Sequence, residues 1–149
     1  MLLSEVLDKP YKYSLSKNEL RWSGSFITDE KEKYHWEATD ESAENVWHIM
    51  FINKTAPKIA MADRTYDDPM PGTQVTNSGN EFRVFATVMD MTKKFVRTVE
   101  PDRINFSAKE KSRTKLYKTL IRKFATTLGY SLEHMDDDPG GVTFYLKRK

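Results

Sequence analysis

A chain of 149 residues, 38% hydrophobic and 31% charged, is sized for a single domain, residues 1–149, with a continuous core needing neither disulfide nor metal. It holds no cysteine, which excludes a disulfide framework, thiolate catalysis and Cys-ligated zinc or iron–sulfur sites. The net charge is +2, yet residues 1–81 carry 9 basic against 14 acidic side chains and residues 82–149 carry 15 against 8. Such a split suits a polyanionic ligand of the C-terminal half or head-to-tail association, although an unevenly solvated surface is its commoner cause.

The N-terminus reaches Glu5 and Asp8 too early for a signal peptide, and no window approaches roughly eighteen apolar residues. A soluble cytoplasmic protein without a membrane partner is expected. Leu2 to Leu7 suit a short helix with Ser4 as cap and Pro10 beyond its end, after which Tyr11, Tyr13 and Leu15 alternate as in a strand. Three runs rich in aromatic and β-branched residues follow: Leu20 to Thr28, Lys33 to Thr39 and Val46 to Ile52. The polar links DEKE and DESAEN between them suit an antiparallel meander, with the last run apolar enough for a central strand. Asn53 to Gly79, with Pro57, Pro69, Pro71 and Gly72, reads as a long loop carrying a short extended piece near Lys58 to Met61.

A helix then starts near Ser78 or Asn80, its apolar face marked by Phe82, Phe85, Val88, Met89, Phe95, Val96 and Val99, and stops before Pro101. RINFSA is a strand. Ser112 is a candidate cap for a second helix, where Leu116, Leu120, Phe124 and Leu128 recur at intervals of four and Gly129 supplies the left-handed stop. Ser131 to Met135 and Val142 to Arg148 are strands joined by the turn sequence DDDPGG. The predicted class is α+β, a mainly antiparallel sheet in the order β-β-β-α-β-α-β-β.

That order, with Leu116-Tyr117 and Gly129-Tyr130 near the end, resembles the C-terminal half of the Gcn5-related N-acetyltransferase superfamily, over roughly residues 20 to 149. The resemblance implies an acetyltransferase-like fold, acetyl-coenzyme A or another acyl-coenzyme A as cofactor and an amine as substrate. It also implies that Tyr117 protonates the leaving thiolate, and that Gly79, Asn80 and Arg113 hold the cofactor's phosphates. The superfamily usually begins its first main helix with Gln/Arg-x-x-Gly-x-Gly/Ala. Here the stretch is TNSGNEF, with Thr76 in place of the leading residue and the carboxylate of Glu81 in place of the small final one. A second likeness, carried by GNEFRVFATV and INFSAKEKSRTKLYKTL, is to small uncharacterised proteins of tailed bacteriophages.

Glu37 and His48, in neighbouring predicted strands, are candidates for the base that deprotonates the amine, and both equally suit outward-facing strand positions. Arg113, Lys115, Lys118, Arg122 and Lys123 decorate the second helix, and Lys147, Arg148 and Lys149 close the chain. Together they form a candidate anion or nucleic-acid surface, the alternative function being a non-enzymatic module that engages nucleic acid or a host protein. Trp22, Trp36 and Trp47 suit base stacking if exposed and a core if buried. His35, His48 and His134 lack metal-ligand spacing, and Asp136 to Asp138 lack the ordered ligands of a calcium loop, so no metal is expected and the acidic run reads as a solvated turn.

Overall fold

A computed structural model describes residues 9–42, 44–55, 81–110 and 113–149. Its strands are β1 (Tyr13–Lys17), β2 (Arg21–Ile27), β3 (Lys33–Ser42), β4 (Val46–Asn53), β5 (Arg103–Lys109), β6 (Tyr130–Asp138) and β7 (Gly141–Arg148), and its helices are α1 (Glu81–Val99) and α2 (Thr114–Leu128). All seven strands share one sheet in the order β1-β2-β3-β4-β5-β7-β6, antiparallel throughout except where β4 lies parallel to β5. The α+β class and the helix–strand–helix–hairpin succession expected from the sequence are present, with the alternation around Tyr13 and Leu15 adding a strand at the front.

Alternation along the strands selects one face for burial. Cross-strand register aligns Trp22, Gly24 and Phe26 with Ala38, Trp36 and Tyr34, and continues through Ile49 and Phe51, Phe106 and Ala108, to Phe144 and Val142. Both helices cover this face. On α1, Phe95 lies at centroid distances of 5.3, 6.2 and 5.0 Å from Trp22, Trp36 and Trp47, all steeply tilted to it, an edge-to-face geometry favoured by ring quadrupoles. All three tryptophans are therefore core residues. Phe85 of α1 meets Phe124 of α2 at 5.5 Å and Tyr117 at 6.0 Å, so the helices also pack on each other. Among the described residues no helix covers the opposite face, which carries half-buried polar side chains.

Two glycines act in different ways, one through a close approach and one through its left-handed backbone. At Gly24 an added Cβ would stand 2.5 Å from the sulfur of buried Met91, so the bare backbone lets α1 settle on β2. Gly129 ends α2 at φ 85°, its N–H bonded back to the last turn, the left-handed stop its sequence position foretold.

Three expectations need correction. Asp136 to Asp138 are the end of β6 rather than part of a turn, because each residue pairs with β7 and only Pro139 and Gly140 make the reversal. Asp40 to Ser42 extend β3 into the expected link, accommodated by a bulge opposite β4. Asn53, placed in the loop by sequence, completes β4 opposite Tyr34. The helix at Leu2 to Leu7, the extended piece at Lys58 to Met61 and the caps Ser78, Asn80 and Ser112 lie outside the described residues.

Replacing Phe95 removes the ring around which three tryptophans are arranged. Phe95→Ala is expected to cost about 3–5 kcal/mol, measured as a lowered urea midpoint. Loss of near-ultraviolet tryptophan dichroism should accompany it, and Phe95→Leu should lose clearly less stability.

Candidate functional site

Strands β4 and β5 run side by side through seven pairs, from Val46 opposite Arg103 to Ile52 opposite Lys109. In sheets with parallel strands, ligands gather outside the carboxyl ends. At that end the chain leaves β5 through Glu110, makes a turn in which the Arg113 N–H bonds the Glu110 carbonyl at 3.1 Å, and enters α2. Tyr117 follows Arg113 by four residues and so projects from the same side of the helix.

These side chains converge on one carboxylate. Glu110 Oε2 accepts from the Tyr34 hydroxyl at 2.7 Å, and Oε1 accepts from the Tyr117 hydroxyl. Arg113 Nη1 lies 3.3 Å from Oε1 and donates to the Tyr34 oxygen at 3.1 Å. Glu110, Tyr34 and Tyr117 are each 1% exposed and Arg113 5%. Beside them Asn53 Nδ2 donates to Glu32 Oε2 at 2.7 Å, and the Glu32 N–H donates to Thr28 Oγ1 at 3.1 Å.

Burial pushes the Glu110 carboxyl above its ordinary range, and Arg113 with the two hydroxyls pulls it part of the way back. Burial, then the Glu110 charge, raises both Tyr34 and Tyr117 well beyond ordinary phenols. Burial opposes the Arg113 charge, but Glu110 beside it wins and holds the guanidinium protonated. At neutral pH both phenols therefore keep their protons and direct them at Glu110.

Tyr117 packs its ring at 5.3 Å from Phe51, and its hydroxyl lies in the interior. Arg113 stands at the start of α2 but turns inward to Glu110. Gly79 and Asn80 lie outside the described residues, while Glu81 occupies the first turn of α1.

Lys115, Arg122 and Lys123 are exposed on the wet side of α2. Lys118 pairs with Asp137 at 3.0 Å, Lys109 with Asp138 at 3.4 Å, Arg103 with Glu133 at 2.5 Å and Arg148 with Asp102 at 2.7 Å, so much of the basic surplus meets local carboxylates. Lys115 and Lys118 line an open groove of about 720 Å³ with Asp137, Asp138 and Pro139.

Glu37 and His48 belong to the opposite face of the sheet, alternating with buried Trp36, Ala38, Trp47 and Ile49. Partial burial opposes the Glu37 charge, but bonds from Arg21 and His35 outweigh it and hold the carboxyl below its usual range. Partial burial lowers the proton affinity of His48, although Glu41 at 3.7 Å pulls the other way. The hydrogen-bonded sheet thus stands between Tyr117 and the Glu37–His48 pair. Among the described residues no three His, Asp or Glu side chains form a group able to hold a metal ion.

The sequence matches one family model over residues 11–133, that of a family of unknown function, DUF6934. The chain belongs to DUF6934. No curated protein matches it. Among solved structures it is similar to an aminoglycoside 6'-acetyltransferase type Ii, at 11% identity and TM-score 0.39 over 89% of this chain and 70% of that one. An aminoglycoside 6'-N-acetyltransferase complexed with coenzyme A is similar at 10% identity and TM-score 0.38, over 87% and 72%. The aminoglycoside 6'-N-acetyltransferase from Enterococcus faecium is similar at 10% identity and TM-score 0.40, over the same shares.

In this DUF6934 chain, sequence reasoning missed Glu110, Tyr34, Asn53 and Glu32. A local signal existed for the first: Glu110, Arg113 and Tyr117 stand at i, i+3 and i+7, a spacing that gathers side chains on one side of a helical turn. No such signal joins Tyr34 to Glu110, which are 76 residues apart.

Removing the carboxylate alone leaves the Arg113 charge buried without its counter-ion. Glu110→Ala is expected to cost about 3–5 kcal/mol, and the double variant Glu110→Ala with Arg113→Met should recover most of it in urea unfolding.

The phenols also predict an alkaline limit. Their folded proton affinity is raised above the unfolded value of 10.0, so their stabilisation is complete below about pH 10 and lost as the pH climbs past it. The urea midpoint should fall above about pH 10, less steeply in Tyr117→Phe.

Proposed function

We propose that this protein has an acetyltransferase-like core derived from an acyl-coenzyme A dependent N-acyltransferase and now acts as a non-enzymatic binding module. The succession of helix, strand, helix ending in Gly129-Tyr130, and closing hairpin supports the descent. The observation that carries the loss of chemistry is Glu110, whose carboxylate accepts the Tyr117 hydroxyl's hydrogen bond and pairs with the Arg113 charge.

Coenzyme A does not fit the described residues. Arg113 and Tyr117 are buried against Glu110, Glu81 places negative charge in the first turn of α1, where a phosphate would need positive, and β4 and β5 are paired along their common length. No acyl-transfer step is assigned to these side chains. The local pairing of Lys109, Lys118, Arg103 and Arg148 favours a protein partner over nucleic acid. In a phage-encoded chain that partner would be a host protein of the cytoplasm.

Calorimetric and thermal-shift titrations with acetyl-coenzyme A should show no binding, whereas a ligand at a hundred times its dissociation constant would stabilise by about 2.7 kcal/mol. A saturable titration that Tyr117→Phe or Arg113→Met weakens would overturn the proposal. So would coenzyme A release in the presence of an amine. A salt-sensitive complex with mixed-sequence DNA or RNA would move the partner from protein to nucleic acid.

A further inference from the structure

The edge of the sheet at β1 carries a second surface, far from Glu110 in the strand order. β1 is hydrogen-bonded to β2 on one side, and among the described residues no strand pairs with its other side. Leu15 and Lys17 stand opposite Gly24 and Trp22, on the face that α1 covers. Between this edge and the last turns of α1 runs a trough of about 450 Å³ lined by Leu15, Lys17, Trp22, Lys94, Arg97 and Thr98. Its floor is apolar, its rim carries three cations, and no carboxylate lines it.

Lys17 lies over the Trp22 ring at 5.1 Å, and Lys94 lies over Tyr13 at 4.8 Å while reaching Asp90 at 3.8 Å. Among the described residues no carboxylate pairs with Lys17 or Arg97. The geometry points to this trough as the docking site of an extended acidic peptide, which adds to β1 as an eighth strand.

The fit has two parts. An unpaired strand edge offers main-chain donors and acceptors at the spacing of another extended chain, and such pairing gives affinity without regard to side chains. Selection comes from alternation: in an added strand every second side chain falls on the α1 side, where acidic residues meet Lys17, Lys94 and Arg97. A nucleic acid would match the charge but not the floor, since Trp22 is 4% exposed and offers no open ring face for a base.

This assignment rests on the binding-module reading but is tested apart from it: a chain that ignores both acetyl-coenzyme A and the peptide keeps that reading and loses this one. The probe is a fluorescently labelled hexapeptide of alternating Glu and Val, followed by anisotropy. Saturable binding is expected, weakened about tenfold by Lys17→Glu or Arg97→Glu, with the thermal midpoint of each variant confirming its fold. Main-chain methylation of the peptide on one alternate set of nitrogens should abolish binding and on the other set spare it. Equal binding by both methylated peptides, indifference to both charge reversals, or displacement by single-stranded DNA would each overturn the assignment. A dimer formed through β1 and lost in the same variants would overturn it too, by giving the edge to a second copy.

Discussion

A carboxylate with 1% exposure has to be met by donors or lose its charge, and Glu110 is met from three directions. Tyr34 reaches it from β3, Tyr117 from the first turn of α2, and Arg113 from the turn between. Both phenols share Glu110 as their acceptor and Arg113 bonds both Glu110 and Tyr34, so the four side chains are coupled. The network thereby clamps β3 and β5, which are separated in the sheet by β4, to the start of α2. It also engages both phenol hydroxyls and the guanidinium at the carboxyl end of the parallel pair in internal bonds.

The sheet is two-sided in a chemical as well as a geometric sense. One face is filled by aromatic rings around Phe95 and Phe85 and covered by both helices. The other bears all three histidines, each beside a carboxylate: His35 with Glu37, His48 with Glu41, His134 with Asp136. Proton donors and acceptors that the sequence invites one to combine are thus divided by a layer of hydrogen-bonded backbone. This partition sets the two groups of candidate side chains on opposite sides of one backbone layer, in keeping with the proposed reading in which surfaces such as the β1 edge meet other molecules.

The aromatic and β-branched runs were legible as strands because alternation is a local signal, and the helices were legible because their apolar positions recur within one or two turns. Trp22, Trp36 and Trp47 could be assigned to the core from the same alternation. Asp136 to Asp138 were misread because an acidic run resembles a turn by composition, while their pairing depends on β7, whose register a local reading does not supply. Tyr117 was singled out by resemblance as a proton donor to a leaving thiolate, while its buried partner Glu110 was hidden.

The sequence by itself determined the element order, the α+β class, the buried face and the glycine stop at the end of α2, all consequences of periodicity and backbone preference acting over a few residues. Only the tertiary structure decided that β4 and β5 lie parallel, that Glu37 and His48 face away from Tyr117, and that Tyr34 and Arg113 close on Glu110. Those facts depend on which strands become neighbours, and long-range pairing leaves no mark on the local pattern of either partner.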